Sequence, residues 1–417
     1  MIVSTPALPV ADVDAVREVA RHVAEIAAAP AQEETRRLWR ALNGLRPERP
    51  MVMIDELPWN ELSVDEELQL RSTDPFARTI ETGLRRTLYA WRQFPVDMVV
   101  EPFVVVPKAI KSSGFGVGVE EATLAWEAGN EIVAHEYHDV LVTEEDVARL
   151  HPPEVWLDEA ATATDEARAH ELLDGILGVQ MQGWTGSFEL WDDIVTWRGA
   201  QTVLYDLIDR PEHMHDIARR YTAARLAMLD ALEAKGLLGY GQQRVHCIGA
   251  WTDELPAPGF DPAKPRAKDG WTYGMSQILG SVSKSMFEEF EVPYVRQWHE
   301  RFGITYYGCC DALHDRVDLV RRIPNVRKIS MSAWADVEKG AEAIGRDFVF
   351  SRKPNPAFVA MTTFDADTIE LDLRRTIEVC EANGCPLEIT LKDVSTVRHD
   401  PRRISRWAAI ADRAIGR

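Results

Sequence analysis

Basic residues are in deficit. The 417-residue chain carries 47 lysines and arginines against 67 aspartates and glutamates, a net charge of −20. A surface of that sign repels phosphate backbones and anionic lipid, which argues against nucleic acid or a membrane surface as a partner. Cysteine is sparse as well: Cys247, Cys309, Cys310, Cys380 and Cys385 are all there are. That is too few for a disulfide framework and suits reduced thiols in a cytoplasmic protein. No basic region precedes an apolar run at the N-terminus, so no signal peptide is expected. Long apolar runs are missing too. The longest, residues 96–110, is interrupted by Asp97, Glu101, Lys108 and two prolines, and cannot span a bilayer. Gly114-Phe-Gly-Val-Gly118 is followed by alternating residues rather than a helix, so the dinucleotide fingerprint is missing.

What remains is a large-core globular chain, 46% hydrophobic. Apolar residues at three- and four-residue spacing predict helices over 12–29 and 31–45. These form an N-terminal helical extension, 1–45, ahead of a main domain, 46–417. Strands are expected at 50–54, 98–106, 176–182 and 243–248, then from 304, 326, 347 and 387. Helices are expected over 74–94, 191–207, 211–235, 283–302, 315–322, 335–344 and 367–383. A β excursion covers Thr123-Leu-Ala-Trp and Glu131-Ile-Val-Ala-His. The starts at 304, 326 and 347 recur at the pitch of one strand plus one helix. Eight strands alternating with helices is the pattern of a (β/α)8 TIM barrel. Four prolines between Pro256 and Pro265 suggest a lid over the mouth near Cys247.

In such a barrel the chemistry sits at the carboxyl ends of the strands. The densest stretch there is Tyr307-Gly-Cys-Cys-Asp-Ala-Leu-His314, with two thiols, a carboxylate and an imidazole. The bland reading of Cys309 and Cys310 is core packing, since cysteines are commonly buried and inert. The other reading joins them to His246 and Cys247 as a zinc site, which wants Cys, His or carboxylate ligands with one open position. Strand neighbours face opposite ways, so only one of His246 and Cys247 points inward unless the strand has ended. Glu101, Asp311 and Lys353 are the acid–base and catalytic candidates. Trp184, Trp251, Tyr307, Arg352 and Lys392 are the substrate-lining candidates. For the tryptophans, ordinary packing is the competing account.

Residues 218–235, Met286-Phe-Glu-Glu-Phe-Glu-Val-Pro-Tyr294, Thr305-Tyr-Tyr-Gly-Cys-Cys-Asp311 and 347–356 together resemble the uroporphyrinogen decarboxylase superfamily. That group includes a haem-pathway decarboxylase and cobalamin-dependent methyltransferases that use a zinc-bound thiolate. The resemblance runs from about residue 45 to the C-terminus and implies a TIM barrel. The decarboxylase pattern is arginine-rich after its first strand, whereas Met51-Val-Met-Ile-Asp-Glu-Leu-Pro-Trp59 offers Asp55 and Glu56, which repel a polycarboxylate. At the methyltransferase His-x-Cys position stands Tyr307-Gly-Cys309, and the last strand ends in Lys392-Asp393 with no later cysteine. The resemblance implies a methyltransferase moving a methyl group between a small methylated compound and a corrinoid or thiol acceptor. Zinc and a corrinoid on a partner protein are the cofactors it implies, and a homodimer is the assembly considered. The alternative is a carboxy-lyase in which Arg352, Lys353 and Lys392 hold carboxylates.

Overall fold

Parallel strands buried on both faces are nearly continuous in apolar residues, and the strand Ile304–Tyr307 (Ile-Thr-Tyr-Tyr) is buried at every position. So are Val349–Arg352 and Leu387–Leu391. In the computed structural model, which describes residues 7–62, 66–125 and 133–417, these lie in one seven-stranded sheet. Its order is Met51–Ile54, Leu387–Leu391, Val349–Arg352, Val326–Met331, Ile304–Tyr307, Trp271–Gly274 and Ser187–Phe188. Every neighbouring pair is parallel. Helices alternate with the strands, giving a mixed α/β protein with a barrel-like sheet. The Met51 and Ser187 strands are the two ends of the sheet order and do not pair with each other among the described residues. No helix among the described residues is long and apolar enough to cross a membrane.

Five of the expected strands stand in this sheet, and three do not. The runs at 98–106 and 176–182 become Phe103–Pro107 and Gly178–Gln182, which pair with each other in a separate two-stranded sheet. The run at 243–248 is a tight antiparallel hairpin, Arg244–Val245 against Ile248–Gly249, with His246 and Cys247 as its two-residue turn. The turn requires a left-handed residue, and His246 takes it at φ 46°. In place of these, the sheet takes Ser187–Phe188, too short to show periodicity, and Trp271–Gly274.

The proline-rich segment does not cover the mouth. Glu254 pairs with Arg327, the second residue of its strand, and a Cβ added at Gly303 would strike Leu255 and the Lys268 carbonyl. Residues 254–268 therefore lie at the amino ends of the strands. The reason is connectivity, because the segment must deliver the chain to the start of Trp271–Gly274. The helix expected over 283–302 breaks at Glu291 into Lys284–Phe290 and Val292–His299, with Pro293 in the first turn of the second. That over 191–207 breaks at Gly199, φ 75°. The β excursion pairs Glu121–Ala125 with Val133–Tyr137, while residue 126 of the first run, residues 131–132 of the second and the first six residues of the N-terminus lie outside the described residues. The extension forms helices Val10–Ala27 and Pro30–Asn43.

Inside the sheet, a polar network lies beneath the mouth. Lys328 and Glu388 are fully buried, with Lys328 Nζ 2.5 Å from Glu388 Oε2 and donating to the Gly249 carbonyl at 2.8 Å. Ser351 donates to the other Glu388 oxygen, and Lys353 Nζ donates to Ser351 Oγ at 2.7 Å.

Candidate functional site

Three strand ends and the hairpin tip converge on one sulfur. Gly308, at φ 91°, turns the chain sharply after Tyr307 and presents Cys309, which is 2% exposed. Ser330 Oγ donates to the Cys309 carbonyl at 2.6 Å, and Asp311 Oδ1 accepts from the Cys309 amide at 3.0 Å. His246 Nε2 lies 3.1 Å from Cys309 Sγ, and Lys392 Nζ donates to the same sulfur at 3.0 Å. Cys310 Sγ is 3.5 Å from Cys309 Sγ and donates to Asp393 Oδ2 at 3.3 Å. Lys392 also meets Glu56 Oε2 at 3.1 Å and Asp393 Oδ2 at 3.0 Å. Because His246 and Cys247 form a turn rather than a strand, both reach this cluster. His246 stacks on Tyr273 at 4.7 Å between ring centroids, and Cys247 Sγ lies 3.7 Å from Tyr306 Oη.

Glu56, His246 and Asp393 have φ of 47°, 46° and 56°. Left-handed conformations in such residues cost about 1–3 kcal/mol each and cluster at functional sites. Three in one cluster mark it independently of the side-chain chemistry.

The electrostatics follow from burial. The His246 imidazole is pushed down to about 4, by burial first and then by the charges of Lys392 and Lys353, so it is neutral at pH 7 and can accept a proton. A hydrogen bond from Cys247 draws the Cys309 thiol down, but Cys310 and burial push it up further, to about 12. Burial lowers the Lys392 ammonium, and the surrounding sulfurs raise it well above its usual range. Burial, then the hydrogen bond with Asp393, raises Glu56 to about 7. Asp393, which burial alone would raise, is held low by Glu56 and Lys392. The resting centre is thus a neutral thiol beside a neutral imidazole, with Lys392 balanced by Asp393.

A cavity of about 310 Å³ opens onto the sulfurs, lined by Cys309, Cys310, Lys353, Lys392, Asn355 and the exposed Trp334 among others. Lys353 Nζ sits 5.5 Å from the Tyr306 ring centroid.

The other expected site residues lie apart from this sulfur. Tyr307 faces the helices, its hydroxyl donating to Glu291 Oε1 at 3.0 Å; its neighbour Tyr306 takes the inward position, as strand alternation requires. Arg352 likewise faces outward, bonding the Ser332 carbonyl at 2.7 Å and Asp372 at 3.2 Å. Glu101 accepts from Trp251 Nε1 at 2.7 Å and pairs with Arg36 at 3.1 Å. Trp184 packs edge-on against Trp298 at 6.2 Å. Asp311 shapes the Cys309 loop from beneath, and burial raises its carboxyl. Glu56 and Asp393 complete the cluster. Both stand at strand ends, which is the one signal the sequence offers for them.

A zinc ion fits this cluster poorly. Among the described residues, no three of His, Cys, Asp and Glu converge as a ligand set. The Cys309 sulfur already has a cation, the Lys392 ammonium, against it.

The fold and site together define an α/β protein with a thiol-centred pocket at its strand ends. No family model matches the sequence, and no curated protein matches it. Among solved structures, a methyltransferase from Methanosarcina mazei is similar at 12% identity, over 90% of this chain and 97% of that one, with a TM-score of 0.48. That likeness is distant, and the functional reading rests on the site.

Proposed function

We propose that this chain is a methyltransferase, built on a closed (β/α)8 barrel, that moves a methyl group from a small methylated compound by way of the Cys309 sulfur. One observation carries the reading: Cys309 Sγ stands between His246 Nε2 at 3.1 Å and Lys392 Nζ at 3.0 Å, facing a small-molecule cavity. A neutral sulfur gains only a weak hydrogen bond from the ammonium; a charged one gains far more. The arrangement therefore favours the state in which charge develops on sulfur. As the carbon–sulfur bond forms, the thiol proton passes to His246 Nε2, and the donor's leaving atom departs with the electron pair of its broken bond. The methyl then passes to an acceptor thiol, which gives up its S–H proton as its sulfur takes the methyl, and the Cys309 sulfur leaves as an anion against Lys392 and recovers its proton from His246; a reduced corrinoid on a partner protein would be the alternative acceptor. The experiment supplies labelled methoxyarene, methylamine and methyl thioether donors with a small thiol or a reduced corrinoid. Labelled methyl on the acceptor, with no stoichiometric zinc in the protein, is the expected result. Failure of every pair would end the reading.

A carboxy-lyase is the second reading, favoured by Lys353 and Lys392 lining the same cavity as a thiol kept protonated. The lysines would hold carboxylates and Cys309 would protonate the carbanion. Carbon dioxide release without methyl transfer selects it.

Glu56 gives the methyl-transfer reading a pH signature. Below about 7 its carboxyl is protonated and leaves Lys392 to the sulfur; above, it ionises and competes for that ammonium. Turnover is expected to decline as pH rises through about 7, and Glu56→Gln to remove the decline. An unchanged profile in that variant would exclude Glu56 as the titrating group.

A further inference from the structure

A second cavity, of about 390 Å³, lies on the other side of Glu56. Its volume is within the roughly 300–1,000 Å³ range of small-molecule sites. Aromatic rings form part of its wall: those of Trp39, Trp59, Trp251 and Phe94 line it, with Met53 and Met98, beside charged groups. Trp39 and Trp251 stand 5.7 Å apart between ring centroids.

The charges on the wall are mostly spent. Asp55 pairs with Arg244 at 2.8 Å. Asp97 pairs with Arg49 at 2.6 Å and with Arg417 at 2.7 Å. Glu56 pairs with Lys392 at 3.1 Å. Arg86 is different. Its guanidinium lies 4.9 Å from the Trp59 ring centroid, and no carboxylate or carbonyl partners it among the described residues. A guanidinium over an indole ring by its Cζ retains N–H groups that can meet a carboxylate.

We propose that this cavity is a binding site for a flat, apolar monocarboxylate, with Arg86 holding the acid group and the indole rings flanking the body. The surplus positive charge at Arg86 selects an anion. The one lining guanidinium without a carboxylate partner among the described residues selects one acid group, and the aromatic walls select a planar body. Glu56 belongs both to this wall and to the thiol cluster, so the ligand lies beside the reaction centre. The inference rests on the cavity alone and stands whether or not Cys309 carries a methyl group.

The test is equilibrium binding of 4-methylbenzoate to the full chain, followed by tryptophan fluorescence and calorimetry, with 4-methylbenzamide and benzyltrimethylammonium as comparison probes. Saturable binding of the acid is expected, with the amide weaker by about tenfold or more, as a charge-assisted bond is worth about 1.5–3 kcal/mol. Arg86→Gln should weaken the acid by a similar factor and leave the amide unchanged. Thr87→Phe, which fills the cavity from the same helix, should weaken both; circular dichroism confirms that each variant is folded. The proposal is overturned if the acid does not bind, if acid and amide bind alike, if the ammonium probe binds best, or if a folded Arg86→Gln binds the acid as tightly as the parent.

Discussion

Cys309→Ser is expected to lower methyl transfer by about 10³-fold or more, in line with removal of a covalent nucleophile elsewhere. The substitution replaces sulfur by oxygen at nearly constant shape, so the Gly308 turn, the Ser330 bond to the carbonyl and the Asp311 bond to the amide persist. The fold should therefore survive. What is lost is a polarisable atom that bears negative charge against Lys392. Cys310→Ser is the informative contrast. Its sulfur faces Asp393 at 3.3 Å rather than His246, so an effect within about tenfold is expected if it only supports its neighbour. Steady-state kinetics on both variants decide the matter, together with intact-mass detection of a methylated Cys309. Equal losses in the two, or a Cys309→Ser enzyme within tenfold of the parent, would sink the assignment of the nucleophile.

Glu388→Leu is expected to destabilise the protein by about 3–5 kcal/mol, because it leaves the fully buried Lys328 without its partner. Burial already lowers the Lys328 ammonium, and Glu388 offsets that only in part. The double variant Lys328→Met/Glu388→Leu should recover most of the loss, since two apolar side chains of similar size replace a desolvated pair. Urea unfolding of the two single variants and the double measures the difference. Single variants within about 1 kcal/mol of the parent would show that the pair is not buried as described. The double variant should still lose activity. Without Glu388, Ser351 is no longer fixed, and Ser351 is what holds Lys353 at 2.7 Å.

The sequence disclosed the C-terminal half of the sheet more fully than the rest. From residue 304 onward three of the four strands are buried at every position and the fourth, Val326–Met331, at its last four, and the strand–helix pitch is regular. Before that, the chain enters the sheet through Ser187–Phe188 and Trp271–Gly274, and neither leaves a periodic mark. The hairpin at 244–249 reads as one apolar strand because the residues flanking His246 and Cys247 are apolar on both sides. Only the left-handed φ at His246 separates the two cases, and no residue type announced it. Cys309, Cys310 and Lys392 are legible as strand-end chemistry, whereas His246 and Cys247 reach the cluster from a hairpin turn instead. Tyr307 and Arg352 face the helices rather than the pocket, and alternation cannot be phased from the sequence until one inward residue is known. Glu56 and Asp393, as strand-end acids, were visible but unremarkable without the lysine between them.

The anchoring of the hairpin has a consequence for how the molecule can be dissected. Asn43, the last residue of its helix, donates to the Gly249 carbonyl at 3.1 Å and to the Trp251 carbonyl at 2.6 Å. A Cβ at Gly249 would come within 2.8 Å of the Trp39 ring. The N-terminal helices thus act as the jig that sets the hairpin, and His246 rides on its tip. A fragment begun at residue 46 retains every thiol and both lysines of the pocket, yet leaves behind what fixes the imidazole opposite Cys309. Whoever trims or transplants this domain must treat the first helices as tooling of the reaction centre rather than as packaging around it.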